Sequence, residues 1–390
     1  MYSRRQGTAL DDVGRVVRVL YFTRDYSPHD HRFLTALTDT NYEVYFLRLE
    51  KKAHQGNYLA VPRRVQPISW PGDEDDFELR DAWKWARKLR KILLDVKPDV
   101  VHAGPLQKAA FLTSLTDFHP LVSMSWGSDL LKDAESSGQM RQITRRTLDR
   151  TDVLLADCQA VLDKAVALGF PRERIVVFPW GVDLELFAPG SAVDFRRELG
   201  WEDAFIVLSS RSWEPLYGVD VLLRGFIKAA LEIPDLRLIM LGNGSQAGIL
   251  HGILKDSGVE GRVYFGGQVN SEKLADFYRA SDLYISASQS DGSSVSLMEA
   301  MASGLPVLVS DIPGNREWVT PGEQGWLFAA GDDQAICDGI IRAYRKQDTL
   351  EKMSTAARTK AEMDADWSKN FPRLLGAYDM AVRLRGAEHA

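Results

Sequence analysis

The chain has 390 residues, 45% of them hydrophobic and 26% charged, which is the balance of a soluble globular protein and excludes wholesale disorder. At roughly 150 residues per domain this length predicts two domains, each able to bury a core of its own. Lys and Arg total 48 against 54 Asp and Glu, a net charge of −6, the wrong sign for a protein that lives on nucleic acid. Residues 1–185 hold 27 basic and 26 acidic side chains, and the remainder 21 and 28. The first half is therefore the better candidate to meet an anionic surface. Cys158 and Cys337 lie far apart in dissimilar contexts, so neither a disulfide framework nor a thiolate metal site is indicated, and a reducing cytoplasm fits. Arg4 and Arg5 precede an apolar run, Val16 to Phe22, that Arg18 interrupts; it is too short for a signal peptide or a membrane span. The expected location is cytoplasmic, or peripheral on the inner face of the membrane.

Short Val-, Ile- and Leu-rich runs alternate with longer amphipathic stretches along the whole chain, the pattern of parallel sheets covered by helices. Strands are predicted at Val16–Phe22, Val44–Leu49, Asp99–His102, Leu121–Ser125, Val153–Ala156 and Ile175–Phe178, then at Phe205–Ser209, Arg237–Leu241, Val263–Phe265, Leu283–Ser286, Val307–Val309 and Gly325–Phe328. Two such sets predict an α/β chain with two doubly wound Rossmann-like domains. Pro179 to Gly190, punctuated by prolines and glycines, reads as the linker. Ligands of open α/β sheets bind beyond the carboxyl ends of the strands, so the strand-end loops are the candidates for chemistry, in a cleft between two facing domains.

After the first strand comes Thr23-Arg24-Asp25-Tyr26-Ser27-Pro28-His29-Asp30-His31-Arg32. His29 and His31 stand at H-x-H spacing, but no third ligand accompanies them; apart from a contact to a ligand at the strand end, they read as part of a helix cap or as surface residues. The acidic run at 73–78 reads as a solvated stretch. Trp83 to Leu94 reads as a basic amphipathic helix whose apolar face packs on the sheet, with docking to an anionic membrane as the other use of its Trp, Lys and Arg. His102 closes a strand, and Trp126-Gly127-Ser128-Asp129 follows the next. Both can face a ligand at the strand ends, or His102 can be a satisfied core histidine and Trp126 a packing residue.

In the second half, Arg211 follows a strand and projects from its carboxyl end, where a guanidinium can clamp a diphosphate with two N–H groups. Gly242-Asn243-Gly244-Ser245-Gln246-Ala247 fits G-x-G-x-x-A, a weak dinucleotide signal that here follows the second strand of its set and has no ribose-binding acid after it. The most informative stretch runs from Ser290 to Asp311: a polar Gly/Ser loop opens a helix that ends at Gly304, and Pro306 leads the next strand. Amides around Gly292, Ser293, Ser294 and Val295 suit a phosphate. Asp291 and Glu299 are hydroxyl acceptors for a sugar and a ribose. Ser296-x-x-Glu299 equally matches a capping box, and Asp291-Gly292 an ordinary turn.

Asp291, seven residues, then Glu299-Ala300-Met301-Ala302-Ser303-Gly304-Leu305-Pro306-Val307 resembles the donor-binding segment of retaining glycosyltransferases of the GT-B fold, family 4 in particular. Three further stretches resemble the same family: Ile175 to Pro189 its interdomain segment, Arg211 with Tyr217-Gly218-Val219-Asp220 its first turn in the donor half, and Val263 to Gly267 with Ala280-Ser281-Asp282 its base-binding strand and following helix. Together they cover residues 150 to 340.

The resemblance implies an acceptor-side domain at 1–185, a donor domain at 186–365 and a segment at 366–390 crossing back to the first. It implies transfer of a sugar from a nucleoside diphosphate sugar, UDP being the commonest, to an acceptor hydroxyl with retention and without a bound metal. Asp291, Glu299, Arg211 and His102 would be catalytic. Tyr217, Gly218, Gly242, Asn243, Gly244, Gly267 and Gly292 to Val295 would meet the donor, and His29, His31, Trp126 and Asp129 the sugar or acceptor. The acceptor would be a glycan, a lipid-linked or a small molecule, in surface glycan or glycolipid synthesis. The chain departs from the family in several places. Asp291 stands where Glu is usual, Tyr217 where Lys is common, Trp180 for Asn and Trp126 for His, and no Gly-rich loop follows the first strand. Those departures keep open a non-catalytic partner that binds sugar nucleotide or glycan, and fold alone leaves open an epimerase or a phosphorylase.

Overall fold

The structure, a computed structural model, describes residues 16–50, 59–70 and 77–388. It divides into two units, one of residues 1–178 with 371–390 and one of residues 179–370. The acidic run at 73–76 and the arginines at positions 4 and 5 lie outside the described residues.

Unit 1 is built on a parallel sheet of β1 (Arg18–Thr23), β2 (Glu43–Arg48), β3 (Gln66–Pro67), β4 (Val100–Gly104), β5 (Leu121–Met124), β6 (Val153–Ala156) and β7 (Ile175–Val177), in the order β3-β2-β1-β4-β5-β6-β7. Every residue of β4, β5 and β6 is buried, as expected for central strands covered on both faces, whereas edge strand β7 is half-buried and β3 exposed. Phe22, Leu47, Trp70, Trp85, Leu89 and Leu112 pack into the core of this unit. The helix Ala82–Val96 contributes Trp85, Leu89 and Leu93 to it; Trp83 and Leu94 remain 61% and 72% exposed. No helix among the described residues is long and apolar enough to cross a membrane.

The helix Trp367–Glu388 ends in this unit. Tyr378 Oη lies 2.7 Å from His102 Nδ1, and Arg385 Nε donates to Asp152 Oδ1 at 2.7 Å. Asp152 is 2% exposed and its other oxygen meets His119 Nδ1 at 2.7 Å and accepts from the Leu121 amide at 2.6 Å, so one buried carboxylate ties β5, β6 and the final helix together. Burial pushes its carboxyl up, but those bonds and the Arg385 charge hold it below the usual range.

Unit 2 repeats the plan with β8 (Phe205–Ser209), β9 (Leu236–Leu241), β10 (Val263–Gly267), β11 (Leu283–Ser286), β12 (Val307–Ser310) and β13 (Gly325–Phe328), in the order β10-β9-β8-β11-β12-β13. The period of two is plain on β8: Phe205 and Val207 join the core on one face, Ile206 and Leu208 that on the other. The Pro179–Gly190 stretch belongs to this unit, where Val182 donates to the Ala365 carbonyl at 2.7 Å and Trp367 to that of Val182 at 3.1 Å.

Candidate functional site

In unit 2 the connections from β8 and β11 leave toward opposite sides of the sheet, which opens a crevice beyond the carboxyl ends of these two neighbours. Arg211 stands two residues past β8 and Asp291 five past β11, and the two side chains meet there, Arg211 Nη2 donating to Asp291 Oδ2 at 2.6 Å. Arg211 Nη1 donates to Ser294 Oγ at 2.6 Å and to Ser296 Oγ at 3.0 Å. The Tyr217 ring lies 4.1 Å from the guanidinium carbon, a cation–π stack. With Arg211 10% and Asp291 18% exposed, the pair is largely withdrawn from water. Burial works to lower the arginine's pKa, but the Asp291 charge and the surrounding phenols raise it on balance, so the cation is permanent.

The helix Val295–Ala302 begins beside this pair. Ser294 is its N-cap, yet its side chain caps nothing, because the hydroxyl is taken by Arg211; the first-turn amides keep their capacity for an anion. The Ser296–Glu299 capping box does not form. Ser296 lies inside the helix, its hydroxyl 2.7 Å from Tyr284 Oη, and Glu299 accepts from Tyr278 Oη at 3.0 Å. Ser210 Oγ is 2.8 Å from the same phenol. One hydrogen-bonded network thus runs from Glu299 through Tyr278 to Ser210, and another from Asp291 through Arg211 to Ser296 and Tyr284.

The remaining donor-side candidates shape these loops. Gly218 begins the helix Val219–Glu232, and the Gln289 amide donates to the neighbouring Leu216 carbonyl at 2.8 Å, so the β8 and β11 loops are stitched together. Gly242 donates to the Gly267 carbonyl at 2.7 Å, and the Asn243 carbonyl accepts from Trp213 at 3.0 Å. Gly244 packs on the Trp213 backbone, and Ser245 is held by Glu214, its amide at 3.0 Å and its hydroxyl at 2.5 Å. The Gly292 amide donates to Asp291 Oδ1 at 3.1 Å, and Ser293 Oγ accepts from Trp318 Nε1 at 3.1 Å. Sequence reasoning missed Ser210, Ser296, Tyr278 and Tyr284 as members of the site; the available signal, at Tyr284, was a phenol in an otherwise apolar run, which needs a partner once buried.

Against this geometry stand the comparisons. The family model "Glycosyl transferases group 1" matches residues 193–360, and "Glycosyl transferase 4-like" matches residues 18–158. The chain belongs to glycosyltransferase family 4 and has the GT-B fold. Its similar proteins include D-inositol 3-phosphate glycosyltransferase 1 of Catenulispora acidiphila, 29% identical over 73% of this chain and 72% of that one. The D-inositol 3-phosphate glycosyltransferase of Mycolicibacterium smegmatis is 30% identical over 63% of this chain and 56% of that one, so the match spans little over half of this second relative. Among solved structures, Anabaena HepE in complex with UDP-glucose superposes with a TM-score of 0.77 at 19% identity, covering 92% of this chain and 98% of that one. Sucrose-phosphate synthase from Thermosynechococcus elongatus reaches 0.77 at 16% identity over 95% and 100%.

For a family 4 chain, the acceptor-side candidates of unit 1 are placed unevenly. His102 is 1% exposed, among the rings of Tyr21, Phe33 and Tyr378, and burial lowers its pKa to about 3. It is a neutral, buried histidine whose Nε2 has no hydrogen-bond partner among the described residues. Asp129, 4% exposed, is likewise structural: it accepts from the amides of Leu106, Trp126 and Leu130 and from Ser125 Oγ, and so folds its own loop. Trp126 is half-buried with its ring 6.0 Å from that of His29, while His31 Nδ1 meets Tyr26 Oη at 2.6 Å; the two histidines thus turn to different partners. The helix Pro28–Thr38 is closed by a capping box of Ser27 and Asp30.

Two of these buried carboxyls give unit 1 a distinctive pH response. Burial raises Asp30 to about 6, against bonds from Ser27, Tyr21 and Thr23 that pull downward. It raises Asp129 to about 6 as well. Both folded values stand above the unfolded one, so the folded state binds the proton more tightly. This contribution to stability is full below about pH 4 and is lost as pH rises through about 6. Each group is worth on the order of 3 kcal/mol across that window. The melting temperature is therefore expected to rise on going from pH 7.5 to pH 5.5, and Asp129→Asn to flatten the rise; identical pH profiles for variant and wild type would exclude this origin.

Proposed function

We propose that this family 4 protein moves a sugar from a nucleoside diphosphate sugar, with UDP as the nucleotide, to an acceptor hydroxyl with retention at the anomeric carbon. The observation that carries the reading is the Arg211–Asp291 pair at the β8/β11 crevice, with uncommitted first-turn amides of the helix Val295–Ala302 beside it. Family membership and the UDP-glucose named for HepE support the choice of donor.

As the bond between the anomeric carbon and the β-phosphate oxygen breaks, negative charge grows on the diphosphate. Arg211 and the amides at 294–295 stabilise it from fixed positions, with no reorganisation during the step. Glu299, oriented by Tyr278, takes the ribose hydroxyls, and Asp291 orients the donor sugar. The acceptor oxygen bonds the anomeric carbon on the face the diphosphate leaves, and its proton passes to the departing phosphate oxygen, so the residues named here supply no separate base and no metal. The relatives named for D-inositol 3-phosphate make a phosphorylated cyclic polyol the first acceptor to try.

The test is a thermal-shift screen of the full chain with UDP, GDP, ADP, CMP and their common sugars, because a ligand of the native state raises the melting temperature in proportion to the logarithm of its concentration once it is saturating. Selective stabilisation by UDP and one UDP-sugar is expected, with an α-configured product by NMR when that donor is α-linked. Stabilisation by none of the nucleotides would overturn the donor reading, and an inverted product the mechanism.

A further inference from the structure

Unit 1 has a crevice of its own. In the order β3-β2-β1-β4-β5, the connections leaving β1 and β4 run to opposite sides, so the carboxyl ends of these two strands flank the position where an α/β sheet receives a ligand. A charged cluster that the donor chemistry does not use occupies this place. Arg24 is the first residue past β1, Lys108 the fourth past β4 and Glu50 the second past β2.

Glu50 is 2% exposed; its Oε2 accepts from Arg24 Nε at 3.1 Å and its Oε1 from Lys108 Nζ at 3.2 Å. The Glu50 amide donates to the Arg24 carbonyl at 2.8 Å, which fixes the two strand ends together. Lys108 also lies over the Phe77 ring, 5.0 Å from its centroid. Burial would push the Glu50 carboxyl up, and the two cations bring it below the usual range, so it stays charged.

Two cations, Arg24 and Lys108, thus meet one buried carboxylate. Arg24 spends only Nε on Glu50. Its side chain is 41% exposed, and its two terminal nitrogens bond nothing among the described residues. A guanidinium held along one edge by a buried acid, with the other edge open at a sheet's switch point, is preorganised for a planar bidentate partner.

We propose that the acceptor is recognised through an anionic group, phosphate or carboxylate, that the free edge of Arg24 takes with Lys108 beside it, while Glu50 positions both cations. This rests on the sugar-transfer reading for the word acceptor, but the site's affinity for an anionic polyol is measurable without any donor.

The experiment is calorimetric titration of the full chain, donor-free, with myo-inositol, myo-inositol 1-phosphate, glucuronate and inorganic phosphate. The phosphorylated polyol is expected to bind at least about tenfold tighter than the neutral one, with added salt weakening only the charged ligands. Arg24→Ala, and Arg24→Gln as a second variant should the first fold poorly, are expected to bring the charged ligand close to the affinity of the neutral one, and Lys108→Met to do so in part. Tighter binding of glucuronate than of the phosphates would assign the group as a carboxylate; the reverse would assign phosphate. Equal binding of neutral and charged polyols, or unchanged binding in a folded Arg24 variant, would overturn the proposal. The UDP thermal shift of the wild type reads the donor site separately, so a failure there would leave this result standing.

Discussion

Replacing Arg211 by alanine is expected to lower kcat/KM for the sugar donor by about 100- to 1000-fold, the usual consequence of deleting one fixed donor aimed at developing negative charge. The arginine has a second task, because its two terminal nitrogens hold Asp291, Ser294 and Ser296 on three sides of one guanidinium. Its removal leaves Asp291 with no cation in a largely dry place, so a loss of stability of about 3 kcal/mol should accompany the loss of rate. Arg211→Lys separates the tasks. An ammonium keeps the charge but cannot reach three partners in one plane, nor stack flat on Tyr217. If charge alone matters, the lysine variant recovers most of the rate; if the loop's arrangement matters, it stays within about tenfold of the alanine variant, which is the expected result. An alanine variant within threefold of wild type in steady-state kinetics would remove Arg211 from the chemistry altogether.

That a planar residue sits under Arg211, where many relatives are expected to carry a second cation, changes how the site handles charge. Tyr217 adds no positive charge; burial raises its phenol pKa while the adjacent arginine lowers it, and the net shift is upward, so the ring stays neutral. Around Arg211 the free site therefore pairs one cation with one carboxylate, Asp291. On the proposed reading a diphosphate entering it would compete with Asp291 for the same guanidinium, and the helix amides that the Ser294 side chain does not cap would become correspondingly more important.

The architecture was legible because central parallel strands must be apolar on both faces: Val153–Ala156 and Leu283–Ser286 are fully buried runs and could be read directly. Strand ends were not. Strand β4 runs two residues past His102, since Ala103 and Gly104 lack the branched side chains that mark a strand, and β3 is a two-residue edge with no apolar run at all. Within the site, Arg211 and Asp291 were legible by their positions after strands, whereas the role of Ser296 was obscured by its match to a capping box two residues out of frame with the real N-cap, Ser294. Tyr278 looks like the buried face of an amphipathic helix and Tyr284 like strand core, and only the three-dimensional partners reveal that their hydroxyls meet Glu299 and Ser296. The converse holds at His102 and Asp129, where polarity near a strand end suggests a ligand but the side chains are buried, Asp129 on the amides of its own loop and His102 with only Nδ1 bonded.

Gly218 shows how far a donor-side candidate can act through packing alone, and Gly218→Ala is expected to be strongly destabilising to unit 2. Its φ of +58° is left-handed, which costs a residue with a side chain roughly 1–2 kcal/mol. The larger penalty is steric: a Cβ there would collide with the carbonyl of Ala287, the first residue past β11. Backbone must then shift, and it can shift only by parting the β8 and β11 loops that the Gln289 to Leu216 hydrogen bond closes, the same loops that carry Arg211 and Asp291. Gly200 is the control. Its φ of +66° is nearly the same, but nothing lies within 4 Å of where a Cβ would stand. Gly200→Ala should therefore show the conformational cost alone, and Gly218→Ala at least about 2 kcal/mol more in denaturant unfolding, together with a weakened UDP thermal shift. Equal losses for the two variants would mean that the loops yield easily, and that the crevice is held open by the Arg211 network and not by the close approach at Gly218.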